Sequence, residues 1–170
     1  MATVSLWSCK NNQIREEIER LQSHPISMTA CEHTSCYKAG ENVMYSDITS
    51  PYKLVIYIDS LSCSSCFISH MTEYEECVQE LSSNGIETIF IFEPDHNRRE
   101  EVTSLLKEYA YPFWTVVIAD AKFSTDNPHL PSMSTLKSFL LNAENEVVIV
   151  GNPTQNSKIK ELMLKYLQKE

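Results

Sequence analysis

In the stretch SLSCSSCFISH, Cys63 and Cys66 place two thiols three residues apart. On a helix that spacing shares one face and lets the sulfurs approach to bonding distance. Such a pair can exchange disulfides, hold a soft metal, or staple the start of a helix. Which of these applies depends on what the rest of the chain builds around it.

Four further cysteines, Cys9, Cys31, Cys36 and Cys77, bring the total to six. Cys31 and Cys36 sit in TACEHTSCYKAGEN, a polar stretch with little periodicity. They read as a local disulfide or as two free thiols. Cys31, His33 and Cys36 together offer three metal ligands, one short of a closed structural zinc site. Cys77 lies beside the apolar stripe of its helix and is expected as a small buried hydrophobe. Cys9 follows the mostly apolar or small run MATVSLWS, and polar residues come at once after it. That pattern is like the end of a bacterial lipoprotein signal, which would make Cys9 a lipid-anchor site. No basic n-region precedes it and the apolar part is short for a complete signal, so a plain N-terminal thiol is the alternative.

Composition narrows the field. At 170 residues, one compact domain plus a modest extension is expected. A net charge of -9 gives no field that attracts phosphates, which argues against a general nucleic-acid binder. No segment is long and apolar enough to span a bilayer as a helix.

Periodicity sets out the elements. Residues 12–24 carry Ile14, Ile18 and Leu21 at helical spacing, whereas residues 25–51 read as loop or irregular structure. Residues 53–59 are a short β-branched run, the signature of a buried strand. A helix over 64–83 carries Phe67, Met71, Tyr74, Val78 and Leu81 on one face and ends at Asn84-Gly85. A strand at 86–92, a helix at 97–109 and a strand at 113–119 come next. After an irregular stretch at 120–135, a hairpin (138–141 with 146–150) leads to a closing helix at 155–168. Ile159, Leu162, Met163 and Tyr166 are its expected inward residues. The order βαβαβ, hairpin, α describes an α/β fold with a central mixed sheet flanked by helices.

In this arrangement Cys63 falls just past the first strand and Cys66 in the first turn of the next helix. Unpaired N–H groups and the partial positive charge of a helix N-terminus favour a thiolate there. Strand C-terminal ends are also where ligands bind in α/β sheets.

Over residues 52–169 this architecture resembles the thioredoxin superfamily, and it looks most like membrane-anchored, extracytoplasmic thioredoxin-like proteins of the TlpA type. YKLVIYIDSLSCSSC and SFLLNAENEVVIVGNPTQNSKIKEL are similar to a group of such proteins in Gram-negative anaerobes that are often lipoproteins. The resemblance implies a thiol–disulfide oxidoreductase with no cofactor beyond its own cysteines. Cys63 would be the catalytic nucleophile and Cys66 the resolving thiol, the two forming a redox-active disulfide, with Ser64 and Ser65 helping set its potential. It also implies protein thiols and disulfides as partners, a periplasmic or cell-envelope location, and Cys9 as the anchor. Residues 52–170 would be the thioredoxin-like domain and residues 1–51 an N-terminal extension of helix and loop.

Some positions depart from the family's pattern. Ser62 stands where a tryptophan often precedes the motif. The register of the buried carboxylate falls on Tyr57, with Asp59 and Glu76 as other acids nearby. Leu136 occupies the place of the proline that faces the disulfide, and Pro131 is farther off.

Alternative readings use the same residues. Cys63, Cys66 and an imidazole from His70 or His129 would suit copper, as in thioredoxin-fold copper chaperones. The pair could be an inert staple, or the domain a non-catalytic interaction module. A peroxiredoxin reading is weaker, because SLSCSSC lacks the proline and threonine of that site. Arg98 and Arg99, which begin the second helix, are expected on its wet face.

Overall fold

The computed structural model describes the backbone of residues 5–168 and the side chains of residues 11–168. Two parallel strands form its centre: β3 (Tyr52–Ile58) and β4 (Ile86–Phe92). Their residues pair in unbroken register from Tyr52 with Ile86 to Ile58 with Phe92. Both are almost wholly apolar because the sheet is covered on both faces. Around them lie β1 (Ser35–Lys38), β2 (Glu41–Val43), β5 (Trp114–Val117), β6 (Ser138–Leu141) and β7 (Val147–Val150). The seven strands run in the order β2-β1-β5-β4-β3-β6-β7, with β5 parallel to β4 and the outer pairings antiparallel.

Alternation along β3 and β4 divides the core in two. Leu54, Ile56, Ile58, Phe90 and Phe92 point to one face. There they meet helices α3 (Ser64–Ser69), α4 (Glu75–Ser83), α5 (Arg99–Tyr109) and α7 (Ser157–Leu167). Val55, Tyr57, Ile89 and Ile91 point to the other face. They are covered there by the end of α1 (Ser5–Leu21), by α2 (Thr29–Glu32) and by α6 (Lys122–Asp126). Successive right-handed crossovers from β3 to β4 to β5 put α3, α4 and α5 on the same face.

The structure corrects the sequence reading in four places. Residues 25–51 are not all irregular: β1 and β2 form a hairpin whose Cys36 and Tyr37 pair with Val116 and Thr115 of β5. Its turn, Ala39-Gly40, takes positive φ at both residues (51° and 78°), the geometry of a two-residue hairpin. A Cβ on Gly40 would lie 3.0 Å from the Lys107 carbonyl, so the bare backbone lets the turn press against α5. The stretch 120–135 holds α6 and a 3-10 turn at Ser134–Leu136. The expected helix over 64–83 is broken at His70, where a 3-10 turn (Met71–Tyr74) separates α3 from α4. In the closing helix Met163 is buried, but Leu162 is exposed.

The break at His70 has a local cause. The carbonyl of Cys66, which an uninterrupted helix would offer to the His70 N–H, instead accepts the Ser69 hydroxyl and His70 Nδ1–H, each at 2.8 Å. The His70 N–H goes to Phe67 O at 3.1 Å. Side chains that capture a nearby backbone carbonyl compete with the helix ladder.

Candidate functional site

The motif sits where the fold places ligand sites, at the C-terminal end of β3. Cys63 is the N-cap of α3, with extended dihedrals of -76° and 90°. Its carbonyl accepts the Phe67 N–H at 2.9 Å, while its Sγ accepts the Cys66 N–H at 3.4 Å. Sulfur here takes the place that a serine or aspartate oxygen fills at an ordinary helix start. A disulfide joins Cys63 to Cys66, with Cα atoms 5.3 Å apart. On reduction, the same N–H would donate to a Cys63 thiolate.

Exposure separates this pair from the other described cysteines. Cys63 and Cys66 are both solvent-exposed. Cys31, Cys36 and Cys77 are buried free thiols. Burial pushes the Cys36 thiol up to about 11, and burial together with nearby Cys36, Glu32 and Glu93 pushes Cys31 higher still. Burial also raises Cys77. Thiols held protonated are poor nucleophiles and poor metal ligands. The expectation of a small buried Cys77 is met, and Cys31 and Cys36 are two free thiols rather than a local disulfide. Among the described residues, no cluster of three or more His, Cys, Asp or Glu side chains could hold a metal. His70 is turned onto the Cys66 carbonyl, and His129 packs against His24 with ring centroids 5.8 Å apart. The side chain of Cys9 lies outside the described residues.

One ion pair and one hydrogen-bonded acid brace the loops around the motif. Asp59, just past β3, accepts the Ser62 hydroxyl at 2.7 Å and binds the Lys137 ammonium. Lys137 comes directly after Leu136, so this ion pair ties the turn before Cys63 to the Leu136 segment. Leu136 is buried there, and no cis peptide bond occurs among the described residues. Burial raises the Asp59 carboxyl, but hydrogen bonds from Lys137 and Ser62 and the Lys137 charge outweigh it and hold the group below its usual range. On the other sheet face, Tyr57 donates its hydroxyl to Glu93 at 2.6 Å. Glu93 also accepts the backbone N–H groups of Phe123, at 2.7 Å, and Ser124. Burial and Glu93 push the Tyr57 phenol up, so it remains a donor. The acid that meets Tyr57 is thus supplied from just past the end of the neighbouring strand. A single acid ending the apolar run IETIFIFE was the sequence signal for it.

Arg98 was not expected at the site. Its Nη2 donates to Ser65 Oγ at 3.2 Å, and Ser65 Oγ lies 3.7 Å from Cys63 Sγ.

No protein-family model and no curated protein matches the sequence. Solved structures do match. AhpC of Enterococcus faecalis superposes with a TM-score of 0.54 at 12% identity, over 81% of this chain and 89% of that one. A thiol:disulfide interchange protein from Bacteroides sp. gives a TM-score of 0.52 at 14% identity, over 79% and 86%. The fold is thioredoxin-like. At these identities the likeness is one of fold, and what the thioredoxin-like chain does must come from its own residues.

The Asp59–Lys137 pair yields a pH test. A carboxyl held low in the folded state adds stability above its unfolded value, near 3.9, and loses that contribution as pH falls through the folded value. Asp59→Asn should therefore be less stable than wild type at pH 7 by on the order of 2 kcal/mol. In thermal melts the gap should narrow below about pH 4. A gap independent of pH would show that the pair does not act through charge.

Proposed function

We propose that the chain is a thiol–disulfide oxidoreductase whose working disulfide is Cys63–Cys66. The observation that carries this reading is an exposed disulfide at a helix N-cap, with a backbone N–H on Cys63 Sγ, in a chain whose other described cysteines are buried thiols. A staple needs no solvent access, and a reaction with another protein's sulfur does.

In the reduced protein, the Cys63 thiolate attacks one sulfur of a partner disulfide. A Cys63–partner bond forms and the partner's other sulfur leaves as a thiolate. Cys66, deprotonated, then attacks Cys63 Sγ, closing the Cys63–Cys66 disulfide and releasing the second partner thiol. The partner gains two electrons and the chain loses two; the same steps run backwards oxidise a dithiol. Leu61, 92% exposed two residues before Cys63, offers a partner an apolar contact beside the reacting sulfur. The redox unit in this reading is residues 52–170. Residues 1–51 are an extension whose strands lengthen the sheet, whose Glu17 accepts the Met133 N–H at 3.1 Å, and whose Cys9 would tether it in the cell envelope.

In the fully reduced chain at neutral pH, iodoacetamide should modify Cys63 first and Cys66 more slowly, with Cys31, Cys36 and Cys77 reacting only after unfolding. Cys63→Ser should abolish exchange with a model protein disulfide, whereas Cys66→Ser should accumulate the mixed disulfide. Exchange that survives Cys63→Ser would remove Cys63 from the nucleophile's role.

Tethering is tested separately, by mass spectrometry of the protein from its native host. Cleavage ahead of Cys9 with a lipid-sized mass increase on that residue is the expected result. An uncleaved, unmodified terminus would rule it out.

A further inference from the structure

We propose that Arg98 is a positioning residue for the Cys63 thiolate, acting through the hydroxyl of Ser65. The proposal rests on the redox reading of Cys63 and adds to it a side chain from a different helix.

The fold brings the two together. α3 and α5 come after adjacent parallel strands on one face, so both helices begin at the same end of the sheet. Arg98 is the N-cap of α5, as Cys63 is of α3. At that point Arg98 Nη2 donates to Ser65 Oγ at 3.2 Å. The guanidinium occupies a lone pair of the hydroxyl oxygen, which leaves the hydroxyl proton free to turn toward Cys63 Sγ, 3.7 Å away. A disulfide sulfur accepts weakly. Reduction puts a full charge on Sγ, and the hydroxyl, already polarised by a cation, becomes a better donor to it. Cys63 would then receive two donors: the Cys66 N–H and the Ser65 O–H.

The surrounding charges leave this route open. Glu101 of α5 lies 3.6 Å from Arg98 Nε, on a different nitrogen from the one that meets Ser65. Asp59 is held by Lys137 and Ser62, and His96 faces Asp120 at 3.4 Å. Asp95 takes the Arg98 backbone N–H on its carbonyl at 2.9 Å. His70 is engaged with Cys66 O. Arg98 is about a third exposed, so it can be replaced without emptying the core.

The test is the rate of Cys63 alkylation across pH in the reduced full chain carrying Cys66→Ser, with thermal melts confirming that each variant folds. Below the Cys63 titration, Arg98→Ala should slow alkylation about three- to tenfold, the range for a weakened charge-assisted hydrogen bond at a partly exposed site. Ser65→Ala should slow it similarly, and adding Arg98→Ala to Ser65→Ala should cost little more. Arg98→Lys should recover part of the rate. Arg99→Ala, which removes the same charge one residue on, beside a separate cavity lined by His96, Asn97 and Glu100, should leave it unchanged. An indifferent Arg98→Ala, an equal loss in Arg99→Ala, or losses from Arg98 and Ser65 that simply multiply would each overturn the proposal. Alkylation needs no partner protein. A wild type that exchanges no disulfide while Arg98→Ala still slows alkylation would sink the redox reading alone. The reverse pattern would sink this one alone.

Discussion

Everything at the site depends on the parallel pairing of β3 with β4. Their register holds for the full length of both strands, so the strands end side by side. Each strand leads into a helix on the same face. Two helix starts, two caps and two sets of unpaired N–H groups are thereby placed at one edge of the sheet. Cys63 sits at one start and Arg98 at the other. A one-residue slip would send Leu54, Ile56 and Ile58 to the wrong face and would separate the two caps, so the two cores and the site are fixed by the same hydrogen bonds.

Around that edge the chain has sorted its sulfur and its charge. Cysteines inside the cores are kept protonated by burial, and the disulfide-bonded pair lies exposed. The acids here are not left bare: partly buried Asp59 has Lys137 and Ser62, and buried Glu93 has a phenol and two backbone amides. Unpaired burial of such groups would cost several kcal/mol each, so these contacts are conditions for the loops to pack as they do. The Asp59–Lys137 pair also holds the Leu136 segment against the end of β3, where Tyr57 N–H donates to Lys137 O at 2.8 Å. The site thus has a firm rim on this side.

Much of this could be read from residue order. The β-branched runs LVIYI and IETIFIF announced the central strands, and the cysteine pair at the boundary after the first of them announced the site. What escaped was whatever depended on a partner distant in the chain. Arg98 looked solvent-facing because a single helix has a wet face only until a neighbour packs beside it. Leu162 looked buried by periodicity, yet it is exposed. The β1–β2 hairpin was hidden because its strands are four and three residues long and its turn carries alanine where asparagine would have signalled a tight turn. The helix break at His70 was local and could have been found. Ser69 and His70 are both able to capture the Cys66 carbonyl, and helix propensity alone does not register that competition.

The most direct test of the central claim, that Cys63 and Cys66 cycle, is the equilibrium reduction potential of that pair against a glutathione or dithiothreitol series. A cycling pair predicts a value between about -120 and -270 mV, the span of thioredoxin-fold oxidants and reductants. A value below about -300 mV would mark the disulfide as a structural staple and contradict the redox assignment.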